Sequence, residues 1–288
     1  MRGSRRIDGS AVDLRPGGRR RGSRAGPPHG GAVLSAPEIR TASSKDELAD
    51  LVTREAIAVL AQAQRQRGRA SIALTGGTMG TKSVAALAAA SRTTEQDLNW
   101  SRIDFWWSDE RFLPRGDSER NVQQAMDAVT AAAPELQLPP ENVHVIGSAD
   151  EFSTPEDSAQ DYLDELRAAA ADQGTGGLPP LDIALLGVGP DGHVASVFPG
   201  HPELEIEEAT VVAVHDSPKP PPLRVSMTLP LIRTAAHVWF VVAGEDKTEA
   251  VGRLLAGGPL EQTPACGARG TVSTRLYGTP DALPEGRG

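Results

Sequence analysis

His193 closes a loop in which Gly187, Gly189 and Gly192 are interleaved with Val188, Pro190 and Asp191. An imidazole ionises near about pH 6.5 and exchanges protons at neutral pH. Glycine lets backbone crowd a ligand or take up positive φ. The apolar run from Leu181 to Leu186 leads into the loop, so bare backbone and a proton carrier meet at a strand end. This fits activation of water by a general base, with a purely structural histidine as the alternative. Ser196 follows three residues later, but no nucleophile elbow surrounds it. The spacing Gly187-x-Gly189-x-x-Gly192 also matches the dinucleotide fingerprint, which needs a long helix beginning inside the glycines. Pro199-Gly200 arrives too soon for one, so the match is read as accidental.

Three other segments could hold an anion. Thr75-Gly76-Gly77-Thr78, between an apolar run and an Ala-rich stretch, offers free backbone N–H groups at a helix start. It lacks one glycine of a P-loop, at Thr81. A sugar-phosphate cradle, a nucleotide site and a tight turn without ligand all remain open. Asp109-Glu110-Arg111 supplies proton acceptors and a planar guanidinium suited to phosphate or carboxylate, or a solvated loop of internal ion pairs. Ser217-Pro218-Lys219-Pro220-Pro221-Pro222 stiffens the approach to Arg224, or forms a Pro-rich partner motif. Gly244-Glu245-Asp246-Lys247 ends on a lysine that is either a surface residue or a point charge for phosphate.

Elements that would position these residues follow from apolar periodicity. Helices are predicted over Ser44 to Arg67, capped by Ser44 with Glu47 in a capping box, and over Thr81 to Ala90, Glu119 to Ala132, Pro155 to Ala171 and Glu245 to Leu255. Strands are predicted at Ala70 to Leu74, Ile103 to Trp107, Val143 to Ile146, Asp182 to Leu186, Thr210 to Val214 and His237 to Val242. Short apolar strands alternating with helices imply an α/β fold, Rossmann-like, with a mostly parallel sheet covered by helices on both faces. Ligands bind such sheets at the carboxyl ends of the strands; three of the four motif segments fall at such ends, and Gly244 to Lys247 follows the strand that starts at His237.

The chain has 288 residues and a net charge of −9. Residues 1–30 carry eight arginines against Asp8 and Asp13, a local +6, which leaves −15 for the rest. An acidic body argues against a nucleic-acid partner, and no apolar run approaches the roughly 20 residues that span a bilayer. Residues 1–37 read as a disordered basic leader without the apolar core of a secretory signal, and residues 38–288 as one α/β domain. Cys266 is the only cysteine, which excludes an internal disulfide and fits a reducing, cytoplasmic compartment. His29, His144, His193, His201, His215 and His237 show no paired metal-ligand spacing, so neither metal nor cofactor is expected.

In order and content, these motifs resemble the glucosamine-6-phosphate isomerase/6-phosphogluconolactonase family. They run Gly-Gly-Thr, then Asp-Glu-Arg with Ser118-x-x-Asn121, then Gly-x-Gly-x-Asp-Gly-His-x-Ala-Ser-x-Phe-Pro-Gly, Lys-Pro-Pro-x-x-Arg and Gly244 to Lys247. Coverage extends from about Glu38 to about Tyr277. Two departures stand out: Gly-Gly-Thr-Met-Gly in place of Gly-Gly-Ser-Thr-Pro, and an ending after Leu276 without the aromatic-then-acidic pattern. The resemblance implies hydrolysis of 6-phospho-D-glucono-1,5-lactone, a small-molecule partner, by a monomer or weak homodimer. It implies His193 as base, Asp191 as its positioner and Arg111 on substrate oxygens or the oxyanion. Gly76, Gly77, Thr78, Asp109, Arg224 and Lys247 would surround the substrate and its phosphate. The alternatives are glucosamine-6-phosphate deamination and a non-catalytic sugar-phosphate-binding protein. Deaminases carry Asp-Glu-Tyr where this chain has Arg111, and Asn-Glu where it has Val197-Phe198.

Overall fold

Strand and helix signals become a six-stranded parallel sheet and a three-stranded antiparallel one in a computed structural model, which describes residues 36–92 and 98–286. The elements run β1 (Glu38–Thr41), α1 (Lys45–Arg67), β2 (Ala70–Leu74), α2 (Gly77–Ala90), β3 (Ile103–Trp107), β4 (Asp109–Arg111), α3 (Asn121–Ala132) and α4 (Pro155–Asp172). They continue with β5 (Ile183–Leu186), β6 (Val211–Val214), β7 (Arg224–Met227), α5 (Leu229–Ile232), β8 (His237–Val242), α6 (Thr248–Ala256) and β9 (Ser273–Gly278). The parallel sheet has the order β1-β9-β8-β5-β2-β3. Every residue of β2, β3 and β5 is buried. Successive side chains point to opposite faces, so both faces are covered, as a parallel sheet requires. β3 lies on one side of β2 and β5 on the other. The chain therefore reverses direction there, and the loops leaving β2 and β5 diverge into a crevice.

Ser108 joins β3 to the second sheet, of order β4-β7-β6. Its N–H donates to the Leu74 carbonyl in the parallel sheet, and its own carbonyl accepts from the N–H of Met227, the last residue of β7. This fully buried residue thus hinges the two sheets. Trp106, Trp107, Trp239 and Tyr162 are fully buried in the core. The Tyr162 hydroxyl accepts from the Trp107 N–H at 2.8 Å and donates to its carbonyl at 3.1 Å, fixing α4 to the end of β3.

Several predicted elements are corrected. The run Val143 to Ile146 forms no strand, only a bridge from Val143 to Phe105. The strand at Val211–Val214 is antiparallel and belongs to the second sheet. α2 starts at Gly77 rather than Thr81, because the glycines form its first turn. Residues before Asn121 make a turn on Asp117 rather than the start of α3, with Glu119 N–H on Asp117 Oδ1 at 2.8 Å. The late helix divides into a 3₁₀ turn, Glu245–Lys247, and α6. The capping box is modified: Ser44 accepts the Glu47 N–H at 3.2 Å, while Glu47 reaches back to the N–H of Ser43 at 3.1 Å. Residues Ser35–Gly288 group as one unit, and most of the predicted leader lies outside the described residues. Among the described residues no helix is long and apolar enough to cross a membrane.

Candidate active site

Close packing, more than turn geometry, dictates glycine in the loop after β2. A Cβ on Gly76 would stand 1.9 Å from Asn121 Oδ1, and one on Gly80 would stand 2.3 Å from the Thr75 carbonyl. Gly77 additionally has φ +76°. Gly76 is the N-cap of α2 and supplies no side-chain cap, so the positive end of the helix faces the crevice.

β4 supplies the opposite wall. Glu110 points inward, where its two oxygens accept the N–H groups of Asn121 at 2.6 Å and Val122 at 2.9 Å. It therefore caps α3 from the strand that precedes it. Burial pushes its pKa up, against those bonds and the Arg120 charge. Asp109 Oδ2 accepts from Ser196 Oγ at 2.7 Å, tying β4 to the histidine loop. Arg111 faces Arg224 in register across β4 and β7. Like charges directly opposite destabilise a strand pair, so this wall favours an anion between them. Arg224 also donates to the carbonyls of Lys219 at 2.9 Å, Pro220 at 3.1 Å and Pro221 at 3.2 Å. Its guanidinium lies 5.7 Å from the centre of the Phe198 ring.

After β5, the histidine loop folds back on itself. The Gly189 N–H donates to the His193 carbonyl at 2.9 Å, and a Cβ on Gly189 would stand 2.0 Å from His193 Nδ1. That space is needed because His193 Nδ1 lies 2.6 Å from Asp191 Oδ1. Burial opposes the Asp191 charge, but the His193 hydrogen bond and the Lys219 charge hold its carboxyl well below the usual range. An ionised carboxylate at Nδ1 accepts that nitrogen's hydrogen, which leaves the lone pair of the neutral ring on Nε2. Nε2 has no protein partner among the described residues, and the ring borders the crevice. No helix follows Gly192; Val194 and Val197 pair in a tight turn instead, so the dinucleotide reading has no support.

The crevice holds about 510 Å³, within the range of small-molecule sites. Gly76, Gly77, Thr78, Asp109, Arg111, His193, Arg224 and Lys247 all line it, and Asp191 stands behind His193. Lys45, Asn121 and Lys219 also line the crevice; Asn121 and Lys219 stand in the motifs quoted from the sequence, but none of the three was assigned a role there. Lys219 shares the stiff proline approach credited to Arg224, a signal that was available. Asn121 reads as an ordinary helix start until the fold presses it against Gly76. Burial and the nearby Lys247 and Arg224 lower the Lys219 pKa, and Asp191 opposes them.

Residues 43–276 match the family described as glucosamine-6-phosphate isomerases/6-phosphogluconolactonase. The chain belongs to this family. A 6-phosphogluconolactonase of Streptomyces coelicolor is 45% identical over 240 residues, 83% of this chain and 90% of that protein. One from Mycobacterium tuberculosis is 36% identical over 230 residues, 80% of this chain and 90% of its own length. Among solved structures, 6-phosphogluconolactonase from Trypanosoma cruzi superposes with a TM-score of 0.70 at 25% identity, covering 86% of this chain and 97% of that one. Two positions were set apart in the sequence as distinguishing this chain from deaminases, Arg111 and Phe198. Arg111 borders the crevice here, and Phe198 is fully buried with its ring centre 4.7 Å from that of His193.

Proposed function

We propose that the protein hydrolyses 6-phospho-D-glucono-1,5-lactone to 6-phospho-D-gluconate, the lactonase step of the oxidative pentose phosphate pathway. The observation that carries the reading is the His193–Asp191 pair at 2.6 Å, bordering a crevice lined by the glycine loop, Lys247 and two facing arginines. Nε2 of His193 removes a proton from water as the water oxygen bonds to the lactone carbonyl carbon. Negative charge then develops on the carbonyl oxygen. The intermediate collapses by breaking the bond to the ring oxygen, which takes the proton from the imidazolium. Water is thereby divided between the new carboxyl and the freed hydroxyl, and the enzyme returns unchanged.

The phosphate sits on the backbone of Gly76, Gly77 and Thr78 with Lys247, in the field of the α2 terminus. Arg111 faces the substrate oxygens or the developing oxyanion, and Arg224 adds charge while fixing the proline loop. Asp109 holds Ser196 and so the histidine loop. Base catalysis contributes about 10²–10⁴-fold and oxyanion stabilisation about 10²–10³-fold, enough for an ester already prone to hydrolysis. Deamination of glucosamine 6-phosphate is disfavoured, because buried Phe198 stands where that chemistry places a glutamate. The single cysteine favours the cytoplasm.

The test follows 6-phosphogluconate formation with an auxiliary dehydrogenase, corrected for spontaneous hydrolysis. Turnover well above background is expected. A rate equal to background at micromolar enzyme would refute the reading.

A further inference from the structure

Asp191 Oδ1 is shared by two groups. His193 Nδ1 stands 2.6 Å from it and Lys219 Nζ 3.5 Å; the ammonium also comes within 3.4 Å of Nδ1. A carboxylate alone at this distance favours the imidazolium, which has no lone pair to take a proton from water. A phosphorylated substrate would worsen this by adding negative charge to the crevice. We propose that Lys219 is a positioning residue: its ammonium balances Asp191 and keeps the His193 ring uncharged, with its lone pair on Nε2. The inference rests on the lactonase reading and adds a residue to it.

Other charges surround the ring at greater remove. His201 and Arg224 pack on Phe198, whose ring meets His193. Arg253 reaches the Pro190 carbonyl at 3.5 Å, and Lys45, Arg111, Lys247, Asp109 and Asp246 border the crevice. Among the described residues, Lys219 is the cation within 4 Å of both members of the pair. Its position is set by backbone: its carbonyl accepts from Arg224 Nη2 at 2.9 Å and Ser217 Oγ at 2.8 Å. Replacing the side chain therefore leaves the loop's anchors in place.

The experiment compares the full chain with Lys219→Met and Lys219→Arg, and Lys219→Gln serves if the methionine variant fails to fold. Histidine ¹⁵N resonances are titrated, with His193 assigned through His193→Gln, and the pH profile of kcat/KM for lactone hydrolysis is measured in parallel. The His193 midpoint and the acid limb of the profile should both rise by about one pH unit in Lys219→Met and return to the wild-type position in Lys219→Arg. An unchanged His193 midpoint in Lys219→Met overturns the proposal, even if the variant is slow. So does a KM rise with an unmoved profile, which would make Lys219 a substrate ligand. A shifted midpoint in a chain without lactone turnover upholds the charge balance and refutes the lactonase reading instead, so the two failures are distinguishable.

Discussion

His193 and His144 each have a carboxylate at Nδ1, and they differ in what the second ring nitrogen meets. His193 has Asp191 at Nδ1, while Nε2 is left to the crevice. His144, beside the amino-terminal half of β3, has Glu165 at 2.7 Å from Nδ1 and Asp104 at 3.6 Å from Nε2. Its ring stacks on Trp106 at 3.8 Å with 6° between planes. Burial alone would lower the His144 pKa, but its interactions with the nearby Asp104 and Glu165 carboxylates outweigh it and raise the value. Two acids favour the charged form of this imidazole, whereas the other ring has one acid with the Lys219 ammonium beside it. The residue type is the same in both places, and the charge count around the ring decides its use.

The comparison can be broken most severely at Gly189. Gly189→Ala puts a methyl on the His193–Asp191 pair, so kcat/KM should fall by about 10²-fold, measured in the coupled assay; a wild-type rate would mean that the pair's geometry is irrelevant. Lys247→Met should raise KM by about tenfold with kcat changed much less. A lower kcat at constant KM would move the phosphate elsewhere. At the other site, His144→Gln should leave kcat within about twofold. It should lower stability by about 2 kcal/mol, less than for a fully buried pair because Glu165 is partly exposed. Thermal melting would then fall by about 4–8 °C.

The smallest effect is its pH dependence. The raised His144 value means its stabilisation is complete below the unfolded pKa of 6.5 and lost as pH rises through the folded value. For Asp104, burial raises the pKa but His144 and Arg69 outweigh it, so its contribution is present above 3.8 and lost as pH falls through the lowered value. The melting gap between wild type and His144→Gln should therefore be wider near about pH 5.5 than near about pH 8.5. A gap that widened toward alkali would contradict the charged-ring assignment.

Much of the site could be read in the sequence because its residues sit in short loops directly after apolar strands. β2, β3 and β8 have the predicted bounds, since each is a largely apolar run, broken only by Ser71, Asp104 and His237, and buried on both faces. β9 was missed because Ser273, Thr274 and Arg275 dilute its apolar signal, and only Leu276, Tyr277 and Gly278 are buried. β7 was hidden by the prolines before it, and with it the second sheet that sets Arg111 opposite Arg224. Val143 to Ile146 shows the converse error: strand-like residues gain one bridge to Phe105 and then run on as irregular chain. No local pattern could show that His144 belongs with Asp104 and Glu165, because that grouping exists only once β3 and α4 are packed.

The central claim is that Nε2 of His193 accepts the proton of the attacking water, and chemical rescue tests it most directly. His193→Gly should lose about 10²–10⁴-fold in kcat and regain activity with added imidazole, in proportion to its free-base fraction as pH is varied. Turnover by His193→Gly at the wild-type rate without imidazole would contradict the account.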